Sequence, residues 1–192
     1  SALRDLAAEL NIHLLIGSLA LKTGDADGRF ANRSFLIGPE GDILARYDKI
    51  HMFDVAISST EAFTESASYR PGDTAVLAQA SFAPIGMAVC YDMRFPKLAD
   101  ALVTAGAHIL TYPAAFSTVT GAAHWHSLLR ARAIAAGAWE LAPAQTGTHP
   151  GGTEKKRQTY GHSLAVDPWG EVVLDAGTAP GVYIFDLDVE KV

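Results

Sequence analysis

The chain is poor in cysteine. Among its 192 residues only Cys90 carries a thiol, which excludes a disulfide bond within the chain. Disulfide-stapled scaffolds belong to oxidising compartments, so a single thiol favours a reducing one. Long apolar runs are lacking as well, and none approaches the ~20 residues that cross a bilayer as a helix. We therefore expect a cytoplasmic protein that has no membrane partner.

Positive charge is also scarce, since 15 lysines and arginines face 21 acidic residues and the net charge is −6. A basic stripe of the kind that binds nucleic acid is missing. The one basic cluster, Lys155, Lys156 and Arg157, falls in a segment with glycine and proline and is interpreted as a solvated loop. Phosphate loops, zinc-ligand spacings and dinucleotide fingerprints are missing too, so we expect no nucleic acid, metal or other cofactor.

What the chain does have is the composition of a folded domain, with 49% apolar and 19% charged residues. It opens within an amphipathic helix whose Leu3, Leu6, Ala7 and Leu10 share one face. It stops just after a predicted strand over 182–187. We therefore expect a single domain, 1–192, that is truncated at its N-terminus and lacks an element after its C-terminus.

Short strands alternate with helices along the chain, which predicts an α/β domain with covered sheets. Helices are predicted over residues 94–107 and 117–138. Strands are predicted over residues 12–21, 32–37, 43–47, 76–82, 85–89, 108–113, 139–145 and 182–187, with a further hairpin around the turn at 167–170. Residues 49–74 lack periodicity, and a loop of that length is typically functional. Residues 147–158 are predicted to form a mobile loop.

Cys90 ends the strand "GMAVC" and precedes the helix "RFPKLADAL". A strand-to-helix turn exposes a side chain at the edge of a sheet. Its unpaired N–H groups also lower the pKa of a thiol and bind a developing oxyanion. The position therefore favours a nucleophile whose pKa lies below the ordinary value. The alternative is a buried structural cysteine, because free cysteine is among the most buried residue types.

The seven histidines offer little support for a histidine base or a metal site. His124 and His126 are two apart on a predicted helix, so they do not share a face and are unsuited to a metal pair. His13 and His108 lie in or beside apolar strands and are interpreted as core residues. His162 remains a candidate base for a cysteine hydrolase.

Four ordered motifs resemble the nitrilase superfamily of carbon–nitrogen hydrolases. They are "YDKIHMFDV", "GMAVCYDMRFP", "ILTYPAAFSTVTGAAHWHSLLRARAIA" and "YGHSLAVDPWGEVV", which together cover nearly the whole chain. The spacing is similar to the branch that includes deaminated glutathione amidase and omega-amidase. The resemblance implies a four-layer αββα sandwich that hydrolyses a small carboxylate-bearing amide and assembles as a homodimer or larger homo-oligomer.

The resemblance also implies catalytic roles for particular residues. Cys90 is the nucleophile that forms a thioester, and Lys49 stabilises the oxyanion together with the backbone N–H of Tyr91. Glu65 matches a supporting glutamate of this branch. Its alternatives are a solvated loop carboxylate, or replacement in that role by the neighbouring Glu61.

Three further residues match the substrate pocket of the branch. Arg94 would bind the substrate carboxylate, because a guanidinium can donate two parallel hydrogen bonds to it. Phe116 and Thr120 would line the same pocket. The alternatives are that Arg94 pairs with Asp92 or another acid to brace the turn, and that Phe116 and Thr120 only pack the loop.

The principal glutamate of the family, which acts as general base, has no match in this chain. Glu9 lies in the wrong element, so the resemblance implies a residue upstream of Ser1. The chain also departs from the pattern of the branch: Ala135 and His126 replace glutamates, and Glu140 places a charge in an apolar strand. An unpaired carboxylate buried there would be costly.

Other functions stay open on the sequence alone. The departures and the unmatched glutamate are compatible with a nitrilase-like protein that binds or assembles without catalysis. Within enzymes, the alternatives are a nitrilase that acts on a nitrile and a cysteine hydrolase that uses His162 as its base.

Overall fold

The computed structural model describes residues 1–24, 26–58, 61–150 and 157–192, with the backbone alone for residues 57, 58 and 61. Their helices and strands are, in chain order, α1 (Ala2–Leu10), β1 (Leu14–Lys22), β2 (Phe30–Ile37), β3 (Ile43–Asp48), β4 (Asp54–Ser58), β5 (Glu61–Thr64), β6 (Tyr69–Arg70), β7 (Val76–Gln79), β8 (Pro84–Met87), α2 (Pro96–Thr104), β9 (Ile109–Thr111), α3 (Thr118–Ala136), β10 (Trp139–Ala142), β11 (Thr146–His149), β12 (Arg157–Tyr160), β13 (Leu164–Val166) and β14 (Val172–Asp175).

The first sheet is an antiparallel meander of β1, β2 and β3, with β6 added parallel to β2. The tight turn "GPEGD" joins β2 to β3, and Gly41 adopts the left-handed φ of 77° within it. Helix α1 lies against this turn, where the Arg4 side chain donates a hydrogen bond of 2.5 Å to the Gly41 carbonyl oxygen. The first helix thus contacts the first sheet at its hairpin.

The second sheet has the strand order β14-β13-β10-β9-β8-β7. Its three central strands, β8, β9 and β10, run parallel, and antiparallel strands flank them on both sides. Helices α2 and α3 pack on this sheet. The approach of α2 is close, because a Cβ on Gly86 would lie 3.1 Å from side-chain atoms of Leu102.

One apolar core joins the two sheets. Leu36 and Tyr47 of the first sheet belong to the same buried cluster as Met87 and Leu110 of the second. The α3 helix closes the other face of the second sheet with residues spaced four apart, namely Gly121, Trp125, Leu129 and Ala133. These layers confirm the expected αββα sandwich.

Several local predictions are wrong. Residues 49–74 are not a structureless loop, because β4 pairs with β5, residues Glu65–Ala67 form a 3-10 turn and β6 joins the first sheet. These strands are too short for their alternation to show in the sequence. The predicted mobile loop over 147–158 instead contains β11 paired with β12. Residues 151–156, and with them Lys155 and Lys156, lie outside the described residues.

The two ends of the chain also differ from expectation. The predicted strand over 182–187 has no strand partner among the described residues, and the side chains of Val182 and Ile184 are about nine-tenths exposed. A strand needs a neighbouring edge as well as an apolar alternation. On the apolar face expected for α1, Ala7 is buried while Leu3, Leu6 and Leu10 are 41–54% exposed.

Among the described helices, none combines the length and apolar composition needed to cross a membrane.

Glu140 is an acidic residue inside the apolar core. It lies on β10 between two neighbouring strands and is fully buried, and neither carboxylate oxygen has a hydrogen-bond partner among the described residues. Burial raises its pKa well above the usual range, and the positive charge of Arg132 opposes that shift only in part. Burial therefore disfavours the charged form of Glu140, which agrees with the expectation that an unpaired carboxylate is costly there.

We expect Glu140→Gln to stabilise the protein increasingly as the pH rises. Above about pH 4.3 the unfolded wild type releases the Glu140 proton while the folded state keeps it, so wild-type stability falls with pH. The stability advantage of the variant should grow by up to about 1.4 kcal/mol per pH unit until the folded-state pKa is reached. Urea unfolding across pH measures this difference, and Glu40→Gln at an exposed turn is the matched control. Parallel pH curves for wild type and Glu140→Gln would contradict it.

Candidate active site

A cleft of about 870 Å³ opens where the parallel strands of the second sheet end. Cys90 follows β8, Phe116 follows β9 and Gln145 follows β10, and all three line the cleft. The carboxyl ends of parallel strands meet at one edge of a sheet, which is where α/β proteins keep their ligands. Lys49 and Glu65 complete the cleft from the side of the first sheet.

Lys49 and Glu65 form an ion pair in this cleft. Lys49 follows β3 directly and is 2% exposed, and its ammonium group donates to Glu65 Oε2. The same carboxylate accepts hydrogen bonds from Asn32 Nδ2 at 3.0 Å and from the Phe53 backbone N–H at 2.7 Å. Glu65 is thus fixed on the lysine rather than solvated. The side chain of Glu61, its rival in the sequence, is not described.

Cys90 begins a 3-10 turn, Cys90–Arg94, which precedes α2. The expected strand-to-helix elbow is present, but the helix at the thiol is this short turn and α2 starts only at Pro96. Cys90 has a positive φ of 49°, a region that non-glycine residues rarely adopt. Its side chain is partly buried. The aromatic ring of Tyr91 packs edge-on against Phe53 with ring centroids 5.0 Å apart, beside the ammonium of Lys49.

Asp92 connects the segment of Lys49 to the segment of Cys90. Its carboxylate is 1% exposed and accepts the Tyr47 hydroxyl at 2.7 Å and the Val89 N–H at 2.9 Å. It also accepts two hydrogen bonds from His51, from the backbone at 3.1 Å and from Nδ1 at 2.7 Å. Burial and the charge of Asp92 raise the pKa of Tyr47, so its hydroxyl stays a donor.

The electrostatics of the thiol differ from the sequence expectation. Burial raises the pKa of Cys90 above its ordinary value, and Lys49 with a backbone hydrogen bond from Ala115 offsets that shift in part. The expected lowered pKa is therefore wrong for this structure. Neighbouring charges can be read from a sequence, but the depth at which a thiol is buried cannot. The negative charge of Glu65 raises the pKa further.

The structure separates the three predicted binding residues. Phe116 and Thr120 line the cleft, Phe116 against Trp125 and Thr120 at the start of α3. Arg94 is absent from the lining. Its guanidinium contacts His124 Nδ1 at 3.2 Å and lies over the Phe116 ring, 5.6 Å from the centroid. It therefore does not brace Asp92, and its role toward a carboxylate stays a prediction.

Sequence reasoning missed several polar residues that line the cleft, and the four with amide or guanidinium groups are Asn32, Gln145, Arg157 and Gln158. Arg157 looked like part of a solvated basic cluster, yet it lies on β12 and donates to the Ala115 carbonyl oxygen at 3.1 Å. The strand sequence "RQTY" is short and mostly polar, so no pattern in it separates Arg157 from the preceding lysines. No sequence pattern marked Asn32 as a site residue, because its role depends on the hydrogen bond that it donates to Glu65, which is distant in sequence.

The remaining candidates lie outside the cleft. His162 and His126 both donate to Asp175, and neither lines the cleft within the described residues. His124 contacts Arg94 instead. Ala135 is exposed on α3, so the missing glutamate leaves no cavity in the core.

The chain belongs to the carbon–nitrogen hydrolase family, whose model matches residues 1–192. It is 38% identical over 191 residues to a deaminated glutathione amidase of Synechocystis, an alignment that covers 98% of this chain and 69% of that protein. The resemblance to the nitrilase superfamily inferred from the four motifs is thereby confirmed.

Two solved structures support the fold. Nit3 of Saccharomyces cerevisiae, a member of branch 10 of the nitrilase superfamily, is 30% identical with a TM-score of 0.80 over 93% of this chain. An amidase variant from Nesterenkonia sp. AN1, with an acetamide moiety covalently added at its active-site cysteine, is 25% identical with a TM-score of 0.81 over the whole chain. Our chain spans 60% and 66% of those two proteins, respectively.

We expect the pKa of Cys90 to lie above about 8.5, the value of a free thiol, and to move in opposite directions in two variants. Lys49→Met should raise it further, because a nearby positive charge is lost, whereas Glu65→Gln should lower it. The pH dependence of iodoacetamide labelling of the folded protein measures both shifts. Lys97→Met, at an exposed position of α2, is the control. Labelling at neutral pH as fast as that of a model thiol would contradict the prediction.

Proposed function

We propose that this protein is a thiol amidohydrolase that converts a small aliphatic, carboxylate-bearing amide to the acid and ammonia. The observation that carries the proposal is the buried Lys49–Glu65 pair in the same cleft as Cys90. Membership of the carbon–nitrogen hydrolase family and the amidase names of its relatives support the same reaction.

The chemistry follows from the groups that share the cleft. The Cys90 sulfur attacks the amide carbonyl carbon, and the carbonyl oxygen becomes an oxyanion. The Lys49 ammonium and the Tyr91 backbone N–H stabilise this charge, and both act more strongly in a dry cleft than in water. The C–N bond then breaks and ammonia leaves with an added proton, which produces the thioester. Water hydrolyses the thioester, releases the acid and restores the thiol.

The proton of the thiol needs an acceptor. Glu65 is the one carboxylate among the described residues that line the cleft, and three donors already occupy its oxygens. We therefore assign Glu65 to positioning Lys49. The general base is proposed to be the glutamate that the family resemblance implies outside residues 1–192. A general base typically contributes about 10²–10⁴-fold to the rate, so a protein without it would be slow.

The cleft offers a cation for a substrate carboxylate. Arg157 lines the cleft, and its guanidinium can form the two parallel hydrogen bonds that a carboxylate accepts. Arg94 does not line the cleft, and its guanidinium lies over the ring of Phe116, which does. We propose Arg157 as the primary ligand of the substrate carboxylate. Arg94 is proposed as a second cation, which acts on the carboxylate from the other side of the Phe116 ring without direct contact.

Assembly and location extend the same proposal. We also propose a cytoplasmic protein that forms a homodimer or larger homo-oligomer through its helical face, an assembly that the resemblance to the nitrilase superfamily implies. Light scattering of the full-length protein tests the assembly, and a sharply monomeric species would refute it.

We expect Cys90→Ser to abolish amide hydrolysis and Lys49→Met to lower kcat by about 10²–10³-fold, the usual loss for one oxyanion donor. Assays use the full-length protein with small amides, ammonia release as the readout and Lys97→Met as the charge-matched control. Mass spectrometry of the quenched wild type should detect the acyl group on Cys90.

Other outcomes decide between the rival functions. Activity lost in His162→Gln but kept in Lys49→Met would replace this mechanism with a histidine base. A wild type that turns over no amide, but binds one, would favour a non-catalytic binding protein. Turnover of nitriles in preference to the matching amides would favour a nitrilase.

We expect Arg157→Gln to raise KM for a carboxylate-bearing amide by more than about tenfold, the worth of one charge-assisted hydrogen bond. The KM for a neutral amide of the same length should change little, because it has no charge to bind. Arg94→Gln is the matched variant and should have the smaller effect. An equal loss on both amides would contradict carboxylate binding, and a larger effect of Arg94→Gln would assign the carboxylate to Arg94.

A further inference from the structure

A second cluster of metal-ligating side chains lies outside the cleft. His126 is on α3, His162 lies between β12 and β13, and Asp175 is the last residue of β14. One ligand atom from each of the three lies within 4.8 Å of the other two. None of them lines the cleft, and the proposed amide hydrolysis uses none of them.

We infer that His126, His162 and Asp175 form a binding site for one divalent transition-metal ion, with Zn²⁺ as the first candidate. Two imidazole nitrogens and one carboxylate oxygen are ligands that suit zinc and its neighbours in the first transition row, and disfavour Mg²⁺ and Ca²⁺. The fourth position would be taken by water, since all three side chains are partly exposed.

The distances are close to those of a metal site. His126 Nε2 lies 2.9 Å from Asp175 Oδ2, and His162 Nδ1 lies 2.9 Å from Oδ1 and 3.1 Å from Oδ2. Tetrahedral zinc with bonds of about 2.0–2.1 Å places its ligand atoms about 3.3 Å apart. The two histidine–aspartate separations therefore need to widen by only a few tenths of an ångström. The two histidine nitrogens, which lie within 4.8 Å of each other, need to be at about the same 3.3 Å.

The rings are held in place by their surroundings. The imidazole of His162 stacks on the Tyr160 ring with centroids 4.6 Å apart. The rings of His126 and His162 make an interplanar angle of 70°. The backbone of His162 has a positive φ of 56°. Its N–H donates to the Gly177 carbonyl oxygen, and the carbonyl oxygen of His162 accepts a hydrogen bond of 2.7 Å from Trp125 Nε1. This conformation directs the imidazole toward Asp175.

Binding needs no co-reactant. Each imidazole presents a lone pair from the nitrogen that now faces Asp175, and the proton on that nitrogen moves through solvent to the other ring nitrogen. Two neutral rings thus release no net proton. The ion would join α3 to the chain that follows β12, the strand that carries Arg157 and Gln158. Its role would be to stabilise this wall of the cleft.

The test titrates Co²⁺ and then Zn²⁺ into chelator-treated full-length protein. We expect one Co²⁺ per chain with visible d–d absorption, displaced by Zn²⁺, and a rise in melting temperature with added Zn²⁺. His126→Gln, His162→Gln and Asp175→Asn should each weaken binding by more than about tenfold. His124→Gln, two residues away on the same helix, is the matched control and should bind as the wild type does.

A measurement on the wild type covers the case in which a variant fails to fold. Zn²⁺ should protect His126 and His162 from diethyl pyrocarbonate, while the exposed His124 stays reactive. Absence of binding, binding unchanged in all three variants, equal weakening by His124→Gln, or no selective protection would each overturn the site. None of these outcomes depends on amidase activity, so the metal site and the proposed reaction stand or fall separately.

Discussion

A single buried carboxylate, Asp92, fixes the geometry of the candidate active site. It accepts hydrogen bonds from Tyr47 and His51, which flank Lys49 in sequence, and from the N–H of Val89, next to Cys90. Hydrogen bonds to a buried charge are each worth about 1.5–3 kcal/mol. The amine and the thiol come from different sheets, so their relative position depends on this connection. An apolar residue at 92 would leave the Tyr47 hydroxyl and the Val89 N–H without this acceptor in the core.

The Lys49–Glu65 pair governs the charge of the cleft. Its two members act on Cys90 with opposite sign, and burial outweighs the lysine, so the pKa of the thiol is raised. Burial therefore disfavours the thiolate form of Cys90 in this cleft. In the proposed mechanism its activation requires a proton acceptor, which is the glutamate that the family resemblance implies outside residues 1–192. A low basal reactivity is compatible with a nucleophile, because catalysis needs the thiolate only when the amide is bound.

Much of this organisation could be predicted from the sequence, for identifiable reasons. The alternation of strands and helices predicted an α/β domain. The motifs around Lys49 and Cys90 carried the family resemblance, which implied the sandwich and a shared cleft for those two residues. Arg157 was missed because its cluster with Lys155 and Lys156 looks solvated until β12 pairs with β11. The prediction of a strand over residues 182–187 was wrong, because a strand forms only where the edge of a sheet is available for pairing, and the local sequence does not show this. The thiol pKa depends on burial, which no local pattern encodes.

The parallel order of β8, β9 and β10 has a consequence for how this fold changes over time. Each strand delivers a different part of the cleft at the same sheet edge: Cys90 after the first, Phe116 after the second and Gln145 after the third. The strands themselves are held by the core, whereas the segments that follow strands generally tolerate more substitution. Recognition can therefore drift one segment at a time while the nucleophile stays in place. Such an arrangement lets one scaffold acquire new substrates without first losing its reaction.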